Sequence, residues 1–168
     1  MRRSRSLVAI VFVIVGSALG WWAGAQRSAA DAEYRVVDVI DGDTIVVRDV
    51  DGRDDTVRLL GIDTPETHHP AKPVGCYGPE AAEFTSRRLF GALVRLEDDV
   101  ETHDMYGRRL AYVYLHGERF NDELLRRGYA RLLVIDPNRA HARDMLDDEL
   151  DAEQHRRGLW GACERGGS

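Results

Sequence analysis

The sequence predicts an α+β fold: a five-stranded, OB-fold-like Greek-key β-barrel with about three packed helices. Five short runs rich in β-branched residues recur between turn formers, as the strands of a small barrel do. One helical pattern follows the third run and further helical patterns follow the fifth. The chain has 168 residues, 43% of them hydrophobic, which fits one domain with a single core. It has no internal repeats or low-complexity stretches.

Tyr34 to Ile40 and Thr44 to Val50 read as the first two strands, joined at Asp41-Gly42-Asp43. Val50-Asp51-Gly52 marks the next turn, before a third strand from Thr56 to Ile62. Asp-Gly pairs between β-branched runs are strong hairpin signals. A helix is expected from Pro79 to about Phe90: Pro79 suits the first turn, Ala81, Phe84 and Leu89 lie near helical spacing, and Glu83 can pair with Arg87. Ala92 to Leu96 and Arg109 to Leu115 supply strands four and five, the latter with Leu110, Tyr112 and Tyr114 alternating against Ala111, Val113 and Leu115. Asn121 is a good N-cap for a short helix whose Arg126, Arg127 and Gly128 suit its end. A last helix should start near Asp136-Pro137-Asn138, turn Ala142, Met145, Leu146 and Leu150 inward, and stop at Gly158, with Trp160 docking the tail.

Residues 1–30 are unlike the rest. Arg2, Arg3 and Arg5 precede an uncharged run from Leu7 to Ala25, and Ala23-Gly24-Ala25 has the small-x-small pattern of a cleavage site. The run is close to the ~20 residues that span a bilayer, so this segment is a signal peptide or an N-terminal membrane anchor with a short linker. Either way the remaining domain, residues 31–165, is expected outside the cytoplasm, secreted or held at the outer face of the membrane. In such a compartment Cys76 and Cys163 either pair as a disulfide or stand as two separate thiols.

Charge excludes one class of function. The formal net charge is −6, and loss of Arg2, Arg3 and Arg5 takes it from −6 to −9. A protein that grips nucleic acid with a broad basic surface shows the opposite balance, so any phosphate site here must be local.

The densest polar cluster is Arg58-Leu59-Leu60-Gly61-Ile62-Asp63-Thr64-Pro65-Glu66. A guanidinium inside an apolar strand needs an anion, either a permanent carboxylate partner or a ligand phosphate. Asp41-Gly42-Asp43-Thr44 lies one hairpin upstream, where Asp43 can converge with Asp63. Two carboxylates and a carbonyl make a hard oxygen site suited to calcium or magnesium rather than zinc. The six histidines show no tight metal-ligand spacing and are read as solvated or turn-lining. The charge run from Asp144 to Glu153 is read as a solvated helix face.

These motifs, together with Tyr77-Gly78-Pro79-Glu80 and Tyr106-Gly107-Arg108, occur in the order and spacing of the staphylococcal nuclease (thermonuclease) family, which the chain resembles from about Tyr34 to Trp160. The resemblance implies a calcium-dependent phosphodiesterase acting on DNA and RNA with little sequence specificity and leaving 3′-phosphate ends. Carried over, it makes Asp43 and Asp63 the calcium carboxylates and Thr64 the carbonyl ligand. Glu66 becomes the base or water-positioning group, Arg58 with Arg108 the phosphate clamp, and Lys72 and Tyr106 neighbours of the bound nucleotide. The family's nucleotide-contacting tyrosines are missing between Ala130 and Asn138, where the chain is one residue shorter. The chain is expected to act as a monomer. The competing readings are a non-catalytic OB module binding nucleic acid or protein, and an extracytoplasmic calcium-binding or interaction protein. Retention of Asp43, Asp63, Glu66 and both arginines argues against the first, and the second leaves Arg58 and Arg108 without a task.

Overall fold

The computed structural model describes residues 33–67 and 73–163; the leader, His68, His69 and Lys72 lie outside them. The elements in chain order are β1 (Glu33–Asp41), β2 (Thr44–Arg48), β3 (Asp54–Leu59), β4 (Ile62–Asp63), α1 (Gly78–Leu89), β5 (Leu93–Glu97), β6 (Arg109–Leu115), β7 (Glu118–Arg119), α2 (Phe120–Arg126), β8 (Arg131–Leu132), α3 (Ala142–Gln154) and α4 (Leu159–Ala162).

β1, β2 and β3 form an antiparallel meander. β5 pairs with the other edge of β1, and β6 follows antiparallel to β5. The barrel closes where β6 also pairs with β3, in parallel, with Val57 opposite Arg109 and Arg58 opposite Leu110. The result is a closed, mixed five-stranded barrel carrying three helices and a short fourth, as the strand pattern predicts. The closing seam sets Arg58 beside the start of β6, immediately after Arg108.

The core follows the period-2 pattern. Val36, Ile45, Val47, Val57, Leu59, Val94, Leu96, Ala111 and Val113 are buried inside the barrel, capped by Phe84 and Leu89 of α1 and Phe120, Leu124 and Leu125 of α2. Each full burial contributes roughly 1.5–3 kcal/mol for the larger side chains. Tyr112, on the outward set of β6, is also buried, because the His141 ring packs edge-on against it at 4.6 Å and Arg119 lies over it.

Several expectations need correction. The second strand ends at Arg48, and Val50 is exposed. The third ends at Leu59: Gly61 turns the chain with φ +74°, and β4 pairs with β8 instead. Asn121 is not an N-cap. It lies inside α2, fully buried, accepting a hydrogen bond from the Val113 N–H at 2.9 Å and donating to the Leu60 carbonyl at 2.8 Å. The last helix starts only at Ala142, because Asn138 is held in the preceding loop by a reciprocal pair of bonds to the Glu101 backbone at 2.8 and 2.9 Å. It ends at Gln154, and Gly158 instead lies against Gly128, whose carbonyl accepts the Leu159 N–H at 2.8 Å. Met145 and Ala152 are its buried residues, while Leu146 and Leu150 are exposed. The acidic run is not wholly solvated either, since Glu149 accepts the Leu132 N–H and Asp148 pairs with Arg126. Of the two readings of the histidines, His141 takes the turn-lining one: it lies in the turn before α3, with its Nε2 2.7 Å from Glu97 Oε1.

Candidate active site

The β1–β2 turn, the end of β3 and the chain after β4 converge at one end of the barrel. Arg58 is the hub. Its Nη1 donates to the carbonyls of Leu59 and Ile62 at 2.7 and 2.8 Å, and its Nη2 lies 3.2 Å from Asp43 Oδ2 and 3.1 Å from Asp63 Oδ1. The two backbone bonds fix the guanidinium plane, so Nη2 is aimed rather than floppy. Asp43 is held as firmly: its Oδ2 accepts the Thr64 N–H at 2.9 Å and the Thr64 hydroxyl at 3.1 Å, and its Oδ1 accepts the Thr44 hydroxyl at 3.0 Å. Gly42 permits this approach, because a Cβ there would lie 2.8 Å from the Thr64 side chain. Asp43 is buried, while the Asp63 side chain is 56% exposed.

Arg108 comes from the β5–β6 connection. Asp104 folds that loop: one carboxylate oxygen accepts the N–H groups of Tyr106 and Arg108, each at 2.9 Å, and the other accepts Arg108 Nε at 2.7 Å. Burial pushes the Asp104 carboxyl up, but these backbone and guanidinium donors outweigh it and leave the group below the usual carboxylate range. The Arg108 guanidinium carbon lies 5.5 Å from the centre of the exposed Tyr106 ring. Arg58, Arg108 and Tyr106 line one cleft of about 750 Å³, with Leu133 and Ile135 along another part of its wall.

Glu66 sits on the short chain after β4, gripped residue by residue. The Thr64 N–H is bonded to Asp43, the Glu66 carbonyl accepts the Gly75 N–H at 2.8 Å, and Thr67 donates its hydroxyl to Asp41 Oδ1 at 3.0 Å and its N–H to Oδ2 at 3.3 Å. Cys76, next to Gly75, is disulfide-bonded to Cys163 just beyond α4. Thus Asp43, Arg58, Asp63 and Thr64 touch one another, Arg108 and Tyr106 share the cleft with Arg58, Glu66 lies two residues beyond Thr64, and Lys72 is outside the described residues.

The donor set fits a hard cation. Two aspartates approach the same atom, Arg58 Nη2, and the Asp63–Thr64 peptide beside them is fixed by the Thr64 N–H bond to Asp43. Among the described residues no group of three or more His, Cys, Asp or Glu side chains forms a metal cluster. The remaining ligands would therefore be carbonyl and water oxygens, which calcium accepts and structural zinc does not.

Two positioning groups escaped the sequence reading. Asp41 looks like an ordinary turn former beside Gly42, yet it is buried and holds Thr67. Thr85 of α1 donates its hydroxyl to the Gly42 carbonyl at 2.7 Å, tying the turn to the helix. A polar residue on the inward face of a helical pattern was the available signal for Thr85.

Comparison with known proteins identifies the family. Residues 56–162 match the family model described as staphylococcal nuclease homologue. The chain is 43% identical over 133 residues to the thermonuclease of Staphylococcus hyicus, covering 79% of this chain and 78% of that one. It is 43% identical over 138 residues to the thermonuclease of Staphylococcus intermedius, covering 80% and 82%. It is 39% identical over 123 residues to the endonuclease YncB of Bacillus subtilis (strain 168), covering 72% and 58%. With the closed barrel and these matches over most of its length, the chain belongs to the staphylococcal nuclease family and is a nuclease.

Proposed function

We propose that this nuclease is exported, requires calcium, and hydrolyses phosphodiester bonds of DNA and RNA with little sequence preference, leaving 3′-phosphate ends. The observation that carries the proposal is the convergence on Arg58: its Nη2 meets Asp43 and Asp63, and the residue lies in the lining of the same cleft as Arg108 and Tyr106.

Two arginines in the lining of one cleft can grip a phosphodiester from different directions, and they would stabilise it more as charge builds on the phosphoryl oxygens in the transition state. Each is expected to be worth about 10² to 10³ in rate. Glu66 orients a water and accepts its proton as the water oxygen bonds to phosphorus. The bond from phosphorus to the 5′ oxygen breaks, that oxygen takes a proton from solvent and Glu66 returns its proton to solvent, giving a 3′-phosphate and a 5′-hydroxyl; loss of Glu66 should cost ~10² to 10⁴. Calcium held by Asp43, Asp63 and the Thr64 carbonyl would supply further positive charge beside the phosphate. Indifference to base and sugar is supported by the cleft lining: the exposed Tyr106 ring offers stacking that every base can accept.

Export is supported by the leader sequence, and the Cys76–Cys163 bond suits an oxidising compartment. Purified residues 26–168 should degrade denatured DNA and RNA with calcium, stop in chelator, and fail after Glu66→Gln or Arg58→Ala. Undiminished cleavage in chelator would reject the metal assignment, and 5′-phosphate products would reject the direction of bond breaking.

A further inference from the structure

We propose that the Cys76–Cys163 disulfide positions Glu66 for the reaction, so that opening it slows turnover without unfolding the barrel. The inference rests on reading Glu66 as the water-activating group.

The three residues around the bridge each have a fixed contact. Gly75 donates its N–H to the Glu66 carbonyl at 2.8 Å, Cys76 is bonded to Cys163, and the Tyr77 ring stacks on Tyr129 at 5.4 Å. The approach to the Glu66 segment is close. A Cβ on Gly75 would lie 2.8 Å from Pro65 Cβ and 3.1 Å from Glu66 N, and one on Gly78 would lie 2.8 Å from the Pro65 carbonyl oxygen. Residues 75–78 therefore form a backing against which Pro65 and Glu66 rest.

That backing is exposed chain at Cys76, between Gly75 and the start of α1, with no strand pairing to hold it. What it has instead is the bridge to α4. The Cys163 N–H is bonded to Leu159, and Leu159 is buried and bonded to Gly128 at the end of α2. The disulfide thus links the Glu66 backing to a point 87 residues away in sequence that is itself fastened to the helical layer. Asp41 and Asp43 hold Thr67 and Thr64, the two flanks of Glu66. The bridge supplies the support behind Glu66 itself. Closing so long a loop also stabilises the whole fold, so a positioning role must be read under conditions where oxidised and reduced forms are both folded.

With calcium and denatured DNA, treatment with a dithiol such as dithiothreitol should open the bridge to two thiols, the reductant leaving as its cyclic disulfide. Turnover should then fall by about tenfold, within a range of ~5 to ~100 for a displaced catalytic group, while KM stays within about twofold. The double variant Cys76→Ser/Cys163→Ser should start at the lowered rate and ignore the reductant. In Glu66→Gln, reduction should change the residual rate by less than about twofold, because the group being positioned is gone. Amide exchange at Gly75 should speed up on reduction. Gly75→Ala, with the bridge intact, should lower turnover by pressing on Pro65 and Glu66, which decides the matter if the double-serine variant does not fold. Unchanged turnover in the folded, reduced protein, or an equal loss in the Glu66→Gln background, would overturn the inference. Full activity of Glu66→Gln would instead overturn the reading of Glu66 on which it rests.

Discussion

Replacing Arg58 by alanine and by lysine separates its charge from its shape. The guanidinium makes four contacts: two short bonds from Nη1 to the Leu59 and Ile62 carbonyls, and two ion pairs from Nη2 to Asp43 and Asp63. Alanine removes the counter-charge from the Asp43 carboxylate, whose side chain is 10% exposed and which keeps its bonds from Thr44 and Thr64, and strips two carbonyls of a charged donor. Loss of a partly buried pair of this kind costs ~2–4 kcal/mol, a large part of the 5–15 kcal/mol typical of a domain but short of unfolding it. Lysine restores the charge but not the fork: one ammonium cannot bond both carbonyls and still present a flat edge to two oxygens. Urea unfolding should therefore rank the native chain above Arg58→Lys and Arg58→Ala last. Turnover of denatured DNA with calcium should instead drop in both variants by about 10² to 10³. If Arg58→Lys turned over within twofold of the native chain, charge alone would suffice and the argument from geometry would be refuted. If Arg58→Ala stayed within tenfold, Arg58 would have no part in the chemistry.

Asn121→Ala leaves the Val113 N–H and the Leu60 carbonyl without their partner in a fully buried site and should cost about 2–3 kcal/mol in chemical denaturation; a loss under 1 kcal/mol would mean that water replaces the amide. The folded-state pKa of Asp104 lies below its ordinary value, so its contribution to stability is full above the unfolded value of about 3.9 and is lost as pH falls through the lower folded value. Asp104→Asn should accordingly be less stable than the native chain at neutral pH, with the gap closing in acid; a gap independent of pH would reject the linkage. Gly61→Ala combines a left-handed φ of +74° with a Cβ placed 2.6 Å from Met145 Cε, and should destabilise by at least ~1 kcal/mol. Met145→Ala in the same chain should relieve the clash without relieving the backbone strain. Binding of a single-stranded oligonucleotide to Glu66→Gln should have a shallow salt dependence, near −1.4 in log K against log salt for two phosphate contacts at about −0.7 each. A slope steeper than about −4 would require a wider basic surface than the charge balance allows.

The parts of this fold that were legible in the sequence are local in origin. Alternation in β6 and the Asp-Gly turns follow from period-2 burial and from turn chemistry, and Pro79 announces the first turn of α1. Arg58 could be flagged because a guanidinium in an apolar strand demands an anion, although whether that anion was a carboxylate or a phosphate could not be read. The structure supplies the carboxylates, Asp43 and Asp63, and also places Arg58 in the lining of the cleft that holds Arg108. What stayed hidden depends on distant pairing. Nothing in the pattern of Asp54 to Leu59 says that its outer edge meets β6 in parallel, yet that seam is what brings Arg58 beside Arg108. Asn121 carries the signature of a cap, and its true partners lie 8 and 61 residues away. Leu133 and Ile135, in the segment that lacks the family's tyrosines, are exposed and line the cleft, in a loop that Asn138 anchors to Glu101.

On the proposed reading, Arg58 would also account for how an acidic chain works on a polyanion. Its Nη2 already faces two carboxylates, so a phosphate oxygen that takes this position exchanges one anion for another rather than filling an empty charge. The net gain in the ground state is therefore small, which suits an enzyme that must release a charged polymer after each cut. As phosphorus gains its fifth oxygen, the negative charge on the phosphoryl oxygens rises while that on the carboxylates does not, and the balance at Nη2 shifts toward the substrate. An interaction that strengthens only along the reaction raises turnover rather than affinity. The two backbone bonds on Nη1 are what allow it, because they hold the guanidinium in place while its partners on Nη2 change.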